Sequence, residues 1–159
     1  ISLIRLPDFV TKKDFKWAIE TATKKKKLDY KTYVVVGDGE CNEGSTLEAF
    51  VSAVQYKLDN LIVFIDHNGY QQDGMTSEIM NFSFADTLGA IGCKVVEIDG
   101  NDTEAIINAL ENRPINGKPL VIVGHTIKGK GVSFMEGVNS WHHSSMNEDQ
   151  YKQAMEELK

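Results

Sequence analysis

Two apolar runs with matching polar endings limit what this chain can fold into. Tyr33 to Val36 stops at Gly37-Asp38-Gly39, and Leu61 to Asp66 stops at His67-Asn68-Gly69. Such continuously apolar runs, the first rich in valine, read as strands of a parallel sheet, buried on both faces. Between them, Leu47, Phe50, Val51, Val54 and Leu58 recur at helical spacing. That predicts a helix over about residues 46–57, capped by Asn42 or Ser45. The result is one strand–helix–strand unit. Asp38 and Asn68, 30 positions apart, stand at the carboxyl ends of its strands. Ligands of open α/β sheets sit in the crevice at those ends. An acid and an amide carbonyl suit Mg²⁺, a hard cation that takes oxygen ligands and bridges phosphates. Gly37 and Gly39 let backbone N–H groups approach a phosphate with no Cβ in the way.

The rest of the chain repeats the alternation. Residues 1–7 read as a short apolar strand or arm stopped by Pro7, and a helix is expected over about residues 12–27, with Thr11 as its cap. Lys24 to Lys27 is either a solvated helix end or a phosphate-attracting patch. Gln71 to Gly74 reads as a turn-rich loop. A helix over 82–91 ends at Gly92, and a strand over 94–98 follows. Asp102 or Thr103 caps a helix to Glu111 with Ile106, Ile107 and Leu110 inward, before a strand over 120–123. Asn147 caps a last helix, Tyr151 to Leu158. The fold class is therefore α/β, a mostly parallel sheet with helices on both faces, in a single domain over residues 1–159.

Composition excludes some classes. The net charge of −6 gives no overall footprint for nucleic acid. No apolar run is long enough for a membrane span. Cys41 and Cys93 form neither a disulfide framework nor a CxxC, which fits a reducing, cytoplasmic setting. Cys41 lies inside the glycine motif and reads as a small filler rather than a reactive thiol, because no basic residue adjoins it.

The string GDGE-x-NEG…LEA…NLI-x-x-x-D-x-N-x-x-Q-x-DG resembles the thiamine-diphosphate motif of transketolases, especially those split over two polypeptides. TIKGKGVSFME followed by Trp141-His142 resembles the family's WHG segment, with His143 where the family usually has glycine. The resemblance implies that Asp38, the Asn68 side-chain oxygen and the Tyr70 main-chain carbonyl bind Mg²⁺. Gly37 and Gly39 lie against the cofactor's diphosphate, with Gly39 in close backbone contact. His142 sits near the thiazolium and diphosphate, assisting substrate binding and proton transfer. Glu43 and Glu48 take the family's place at the subunit interface. Lys128 and Lys130 face phosphate groups or are simply solvated. A zinc site from His142, His143 and Cys93 lacks any standard ligand spacing. Asp66, His67 and His125 read as strand-end residues.

The resemblance covers about residues 28–159. Residues 1–27 match poorly and read as truncated or divergent: no glycine precedes Gly37, where the family has a Gly-rich loop. The implied activity is that of the diphosphate- and Mg²⁺-binding subunit of a transketolase-like enzyme. It would transfer a two-carbon ketol unit from a ketose to an aldose, with sugar phosphates or related small molecules as substrates. A C-terminal, pyrimidine-binding subunit would supply the activating glutamate, in a homodimer or heterotetramer. The alternatives are a relative using a 2-ketoacid donor for acyl transfer or sugar branching, and a degenerate subunit without catalysis.

Overall fold

The computed structural model describes residues 2–5, 31–113 and 115–159. The helix expected over 12–27 and the lysine run lie outside the described residues. In chain order the elements begin with β1 (Ser2–Arg5) and β2 (Thr32–Gly37), then α1 (Asp38–Cys41), α2 (Gly44–Gln55) and β3 (Leu61–His67). A small hairpin, β4 (Tyr70–Gln71) and β5 (Gly74–Met75), leads into α3 (Thr76–Ile79) and α4 (Phe84–Ile91). β6 (Lys94–Asp99), α5 (Thr103–Glu111), β7 (Leu120–His125) and α6 (Glu148–Glu157) follow.

The apolar runs pair in register. The five-stranded sheet has the order β1-β2-β3-β7-β6, and every pairing in it is parallel. The chain steps outward from β1 to β3, passes over the place of β7 to reach β6, then turns back. Right-handed crossovers require such a reversal to move the connecting helix to the other face. The two cores show that it does. Ala49, Phe50 and Ala53 of α2 and Phe84 and Leu88 of α4 pack with Val34, Val36, Val63 and Ile65. On the other face Ala109 and Leu110 of α5 meet Ile62, Leu120 and Ile122. Helices therefore cover both faces, as the alternation predicts. Each large side chain fully buried here, Phe50 or Ile65 for example, contributes roughly 1.5–3 kcal/mol.

Four local expectations are corrected. Asn42 and Ser45 are not caps: the glycine turn itself winds into α1, and α2 begins at Gly44 with Glu43 in the cap position. The Asn42 N–H donates to the Gly39 carbonyl, so Asn42 closes α1 rather than opening α2. Val51 is 55% exposed, because α2 turns its small residues and Phe50 toward the sheet. Ile107 is likewise exposed, while Ala109 and Leu110 make the contact of α5. β2 is buried on one face only: Val35 is 38% exposed and lines the crevice at the strand ends. Asp102 caps α5 and Asn147 caps α6 by accepting backbone N–H bonds. No helix among the described residues is long and apolar enough to cross a membrane.

Candidate functional site

The carboxyl ends of β2 and β3 open into a cleft of about 460 Å³. The register Gly37↔Asp66 sets Asp38 beside His67 in the next row. Asp38 is 2% exposed. Its Oδ1 lies 2.5 Å from His67 Nδ1, and its Oδ2 accepts the Gly69 N–H at 2.8 Å. Gly69 has φ of 78°, a conformation costly for residues with a Cβ, and this lets the chain fold back over Asp38. The Asn68 Oδ1 accepts the Tyr70 N–H at 3.0 Å, so both side-chain oxygens stand at one turn. Asp66 accepts the Thr126 hydroxyl, which accounts for it as a strand-end residue.

The opposite wall comes from residues 126–142. Lys128 and His142 line the cleft, with Lys128 Nζ 3.3 Å from His142 Nδ1. The Gly137 N–H closes the loop on the Lys128 carbonyl at 2.9 Å. The Tyr70 hydroxyl donates to the Gly137 carbonyl at 2.7 Å, tying this wall to the hairpin. The Trp141 indole N–H donates to the Phe134 carbonyl at 2.9 Å. His143 packs its ring edge against His142, with centroids 4.6 Å apart. Lys130 lies on a neighbouring surface with Glu97 and Asp99.

From below, α6 fastens the loop. The Glu157 carboxylate accepts the Ser133 N–H at 2.6 Å and the Ser133 hydroxyl at 2.8 Å, and Gln153 donates to it at 2.7 Å. These bonds, the Gln153 side chain first, hold the Glu157 pKa below its ordinary value of 4.5. A depressed carboxylate stabilises the fold above its unfolded pKa and loses that contribution as pH falls through its folded value. The melting-temperature gap between wild type and Glu157→Ala, read by circular dichroism, is therefore present at neutral pH. It closes as pH drops below about 4.5; a gap that widens in acid contradicts the assignment.

Do the residues fit a divalent cation and a diphosphate? Asp38, Glu40, Glu43, Asp66 and Asp73 line the cleft against Lys128. So acidic a cleft repels a bare diphosphate, and a divalent cation reconciles the charges. Among the described residues no three His, Cys, Asp or Glu side chains converge on a metal position. A donor set of one acid, one amide oxygen and one main-chain carbonyl contains no such cluster, so it is neither supported nor opposed by that absence. Gly37 (φ −94°) needs no special backbone freedom. Among the described residues, a Cβ at Gly37 or Gly39 would meet protein atoms only at 3.8 or 3.6 Å, so none of them requires glycine there. Bare backbone at both positions fits close approach by an outside group. The Gly37 N–H is already taken by Glu40 Oε2 at 2.8 Å, which leaves Gly39 as the better contact.

Gly37, Asp38, Gly39, Glu43, Asn68, Tyr70 and His142 all line this one cleft. Glu48 does not. It follows Glu43 by five residues, ~140° around a helix, and lies exposed on α2. Cys41 is core filler: burial, helped by Asp38 and Glu40, pushes its thiol pKa far up. Burial also pushes Cys93 up to about 11 against the pull of Lys118. Cys93 packs in the core and does not join His142 and His143. Sequence reasoning passed over His67, which touches Asp38. Strand alternation held the signal, since residue 67 faces away from Asp66 and Asn68, toward the first residue after β2.

The family model described as "Transketolase, thiamine diphosphate binding domain" matches residues 11–159, beginning inside the stretch expected to match poorly. An apulose-4-phosphate transketolase subunit from Phocaeicola vulgatus is 46% identical over 139 residues, 86% of this chain and 50% of that protein. The 6-deoxy-6-sulfo-D-fructose transketolase subunit SqwG of Clostridium sp. is 42% identical over 128 residues, 79% of this chain and 46% of that protein. The chain spans about half the length of these relatives. The crystal structure of transketolase from Campylobacter jejuni is similar with a TM-score of 0.83 at 32% identity, over 90% of this chain and 24% of that one.

Proposed function

The chain belongs to the transketolase family, as its thiamine diphosphate-binding domain, and from that premise we propose that it holds the cofactor's diphosphate through Mg²⁺ in a two-subunit transferase. The observation that carries this reading is Asp38: a buried carboxylate beside the Asn68 amide oxygen and the Tyr70 backbone, at the strand-end crevice of an acid-lined cleft. Asp38, Asn68 Oδ1 and the Tyr70 main-chain carbonyl would hold the cation. Gly39, and Gly37 beside it, would lie against the diphosphate. Bound there, thiamine diphosphate supplies the carbon nucleophile that lets a ketose be cleaved next to its carbonyl.

The protein's own part is binding, orientation and proton handling. An ammonium only donates, so Lys128 Nζ makes His142 Nδ1 an acceptor and leaves the ring proton on Nε2. From Nε2, His142 can donate to a substrate oxygen. Glu43, at the cleft wall, and Glu48, on the exposed side of α2, would face a partner subunit that carries the pyrimidine end. The reaction is transfer of a two-carbon ketol unit from a ketose to an aldose. The two relatives are named for a sugar phosphate and a sulfo sugar, which favours an anionic sugar substrate here.

Calorimetric titration of thiamine diphosphate, with and without Mg²⁺, into the chain alone and with a candidate partner subunit tests the reading. Binding that requires Mg²⁺ is expected, strengthened by the partner. Binding in neither case, or binding indifferent to Mg²⁺, would overturn it.

A further inference from the structure

We infer that His67 is a positioning residue for Asp38: its Nδ1–H donates to Oδ1 and fixes the carboxylate in the plane that presents it, with Asn68, to the cation. This rests on the cofactor reading above. The Asp38 side chain is fully buried and that of His67 is 28% exposed, so the 2.5 Å contact is shielded from water on the aspartate side. The Gly69 N–H holds the other oxygen at 2.8 Å. A carboxylate offers about four lone-pair sites. One donor on each oxygen locks its rotation and leaves a lone pair on each for a metal.

His67 is itself held. Its ring meets Phe84 edge-on, with centroids 5.0 Å apart at 88°, and His125 at 5.2 Å and 60°. His125 lies directly across the sheet in the His67↔His125 register. Its Nε2 is 2.8 Å from Glu97 Oε2. The Thr126 N–H donates to the His67 carbonyl at 3.1 Å. The orientation of Asp38 is thus referred to strands β3, β7 and β6, and to α4, rather than to a loop. The residue type matters as well. Lysine or arginine at 67 would bring a permanent charge that competes with the cation for Asp38. Imidazole provides the donor without one. Groups that orient ligating side chains in this way typically set metal affinity within a factor of 10–100.

The test uses the full chain with thiamine diphosphate and Mn²⁺ in place of Mg²⁺, with free Mn²⁺ read by electron paramagnetic resonance. Wild type, Asp38→Ala, His67→Leu and His67→Asn are compared. His67→Leu should weaken Mn²⁺ about tenfold to a hundredfold, with the far-ultraviolet spectrum unchanged. His67→Asn places an amide N–H near the position of Nδ1–H and should recover most of that loss. If Asn is as weak as Leu, packing rather than donation is at work, and the inference fails. If Leu binds like wild type while Asp38→Ala does not bind, the inference fails and the cofactor reading stands. If Asp38→Ala binds like wild type, the cofactor reading itself fails. Should His67→Leu not fold, the wild-type ¹⁵N–¹H spectrum decides. A proton on His67 Nδ1 is expected, and a bare Nδ1 overturns the donor role.

Discussion

Under the proposed metal site, Asp38→Ala and Asp38→Asn should both lose Mg²⁺-dependent thiamine diphosphate binding, by about a thousandfold, or on the order of 4 kcal/mol. They should differ in what they do to the fold. The carboxylate accepts from His67 and Gly69 inside the protein. Alanine leaves two half-buried donors without their acceptor, at up to about 1–3 kcal/mol. Asparagine keeps the shape and one acceptor, and so melts closer to wild type. It still lacks the charge that makes an oxygen set attractive to a hard divalent cation. Calorimetry for binding and thermal melts for stability separate the two effects. If Asp38→Asn binds cofactor as well as wild type, charge at this position is irrelevant and the proposed metal site is wrong. If both variants bind normally but melt early, Asp38 is a scaffold residue only.

The pair Asp38 and Asn68 was legible because the sheet does the geometric work. Two strands with known ends and one intervening helix can bring residues 38 and 68 together in only one way, at the crevice. The central strands β3 and β7, continuous apolar runs buried through most of their apolar residues, are legible for the same reason. What escaped notice depended on rotation and on neighbours. Val51 and Ala53 stand about 200° apart around α2, and both are apolar, so residue type alone does not say which of them faces the sheet. The start of α2 was misplaced because the Gly37-Asp38-Gly39 motif reads as a turn, whereas it forms the first helical turn beyond β2. Glu43 and Glu48 look like a pair in the sequence, but only Glu43 reaches the cleft. In the sequence His67 reads as a strand-end residue, because its adjacency to Asn68 says nothing about the direction of its side chain. Its role becomes visible once the Gly37↔Asp66 register places Asp38 next to it. The family match then supplies what no single residue could, namely that this crevice belongs to a diphosphate-binding domain.

Gly129→Ala should damage the site together with the fold. Gly129 has φ of 74°, which costs an L residue roughly 1–2 kcal/mol. A Cβ there would also lie 2.6 Å from the Met135 carbonyl oxygen and 2.7 Å from its carbon. That carbonyl cannot simply move aside. The Met135 N–H is bonded to Val132 and its oxygen accepts from Val138, so the strain passes along residues 129–138. Crowding of this kind adds about 1–3 kcal/mol. Gly131→Ala is the control. It too has a positive φ, of 90°, but its Cβ would meet only the end of the Leu158 side chain, at 2.9 Å, which can rotate away. Gly129→Ala should therefore lose about 3 kcal/mol and Gly131→Ala only the conformational part, about 1–2 kcal/mol, both measured by denaturant unfolding. The same displacement should shift Lys128 and, through Gly137 and Tyr70, the hairpin that carries the proposed third donor. Well below its melting temperature, Gly129→Ala should still bind cofactor more weakly than Gly131→Ala. Equal stabilities would show that the loop absorbs the methyl group. Unequal stabilities with equal binding would show that residues 128–142 are a brace for the fold and take no part in holding the diphosphate.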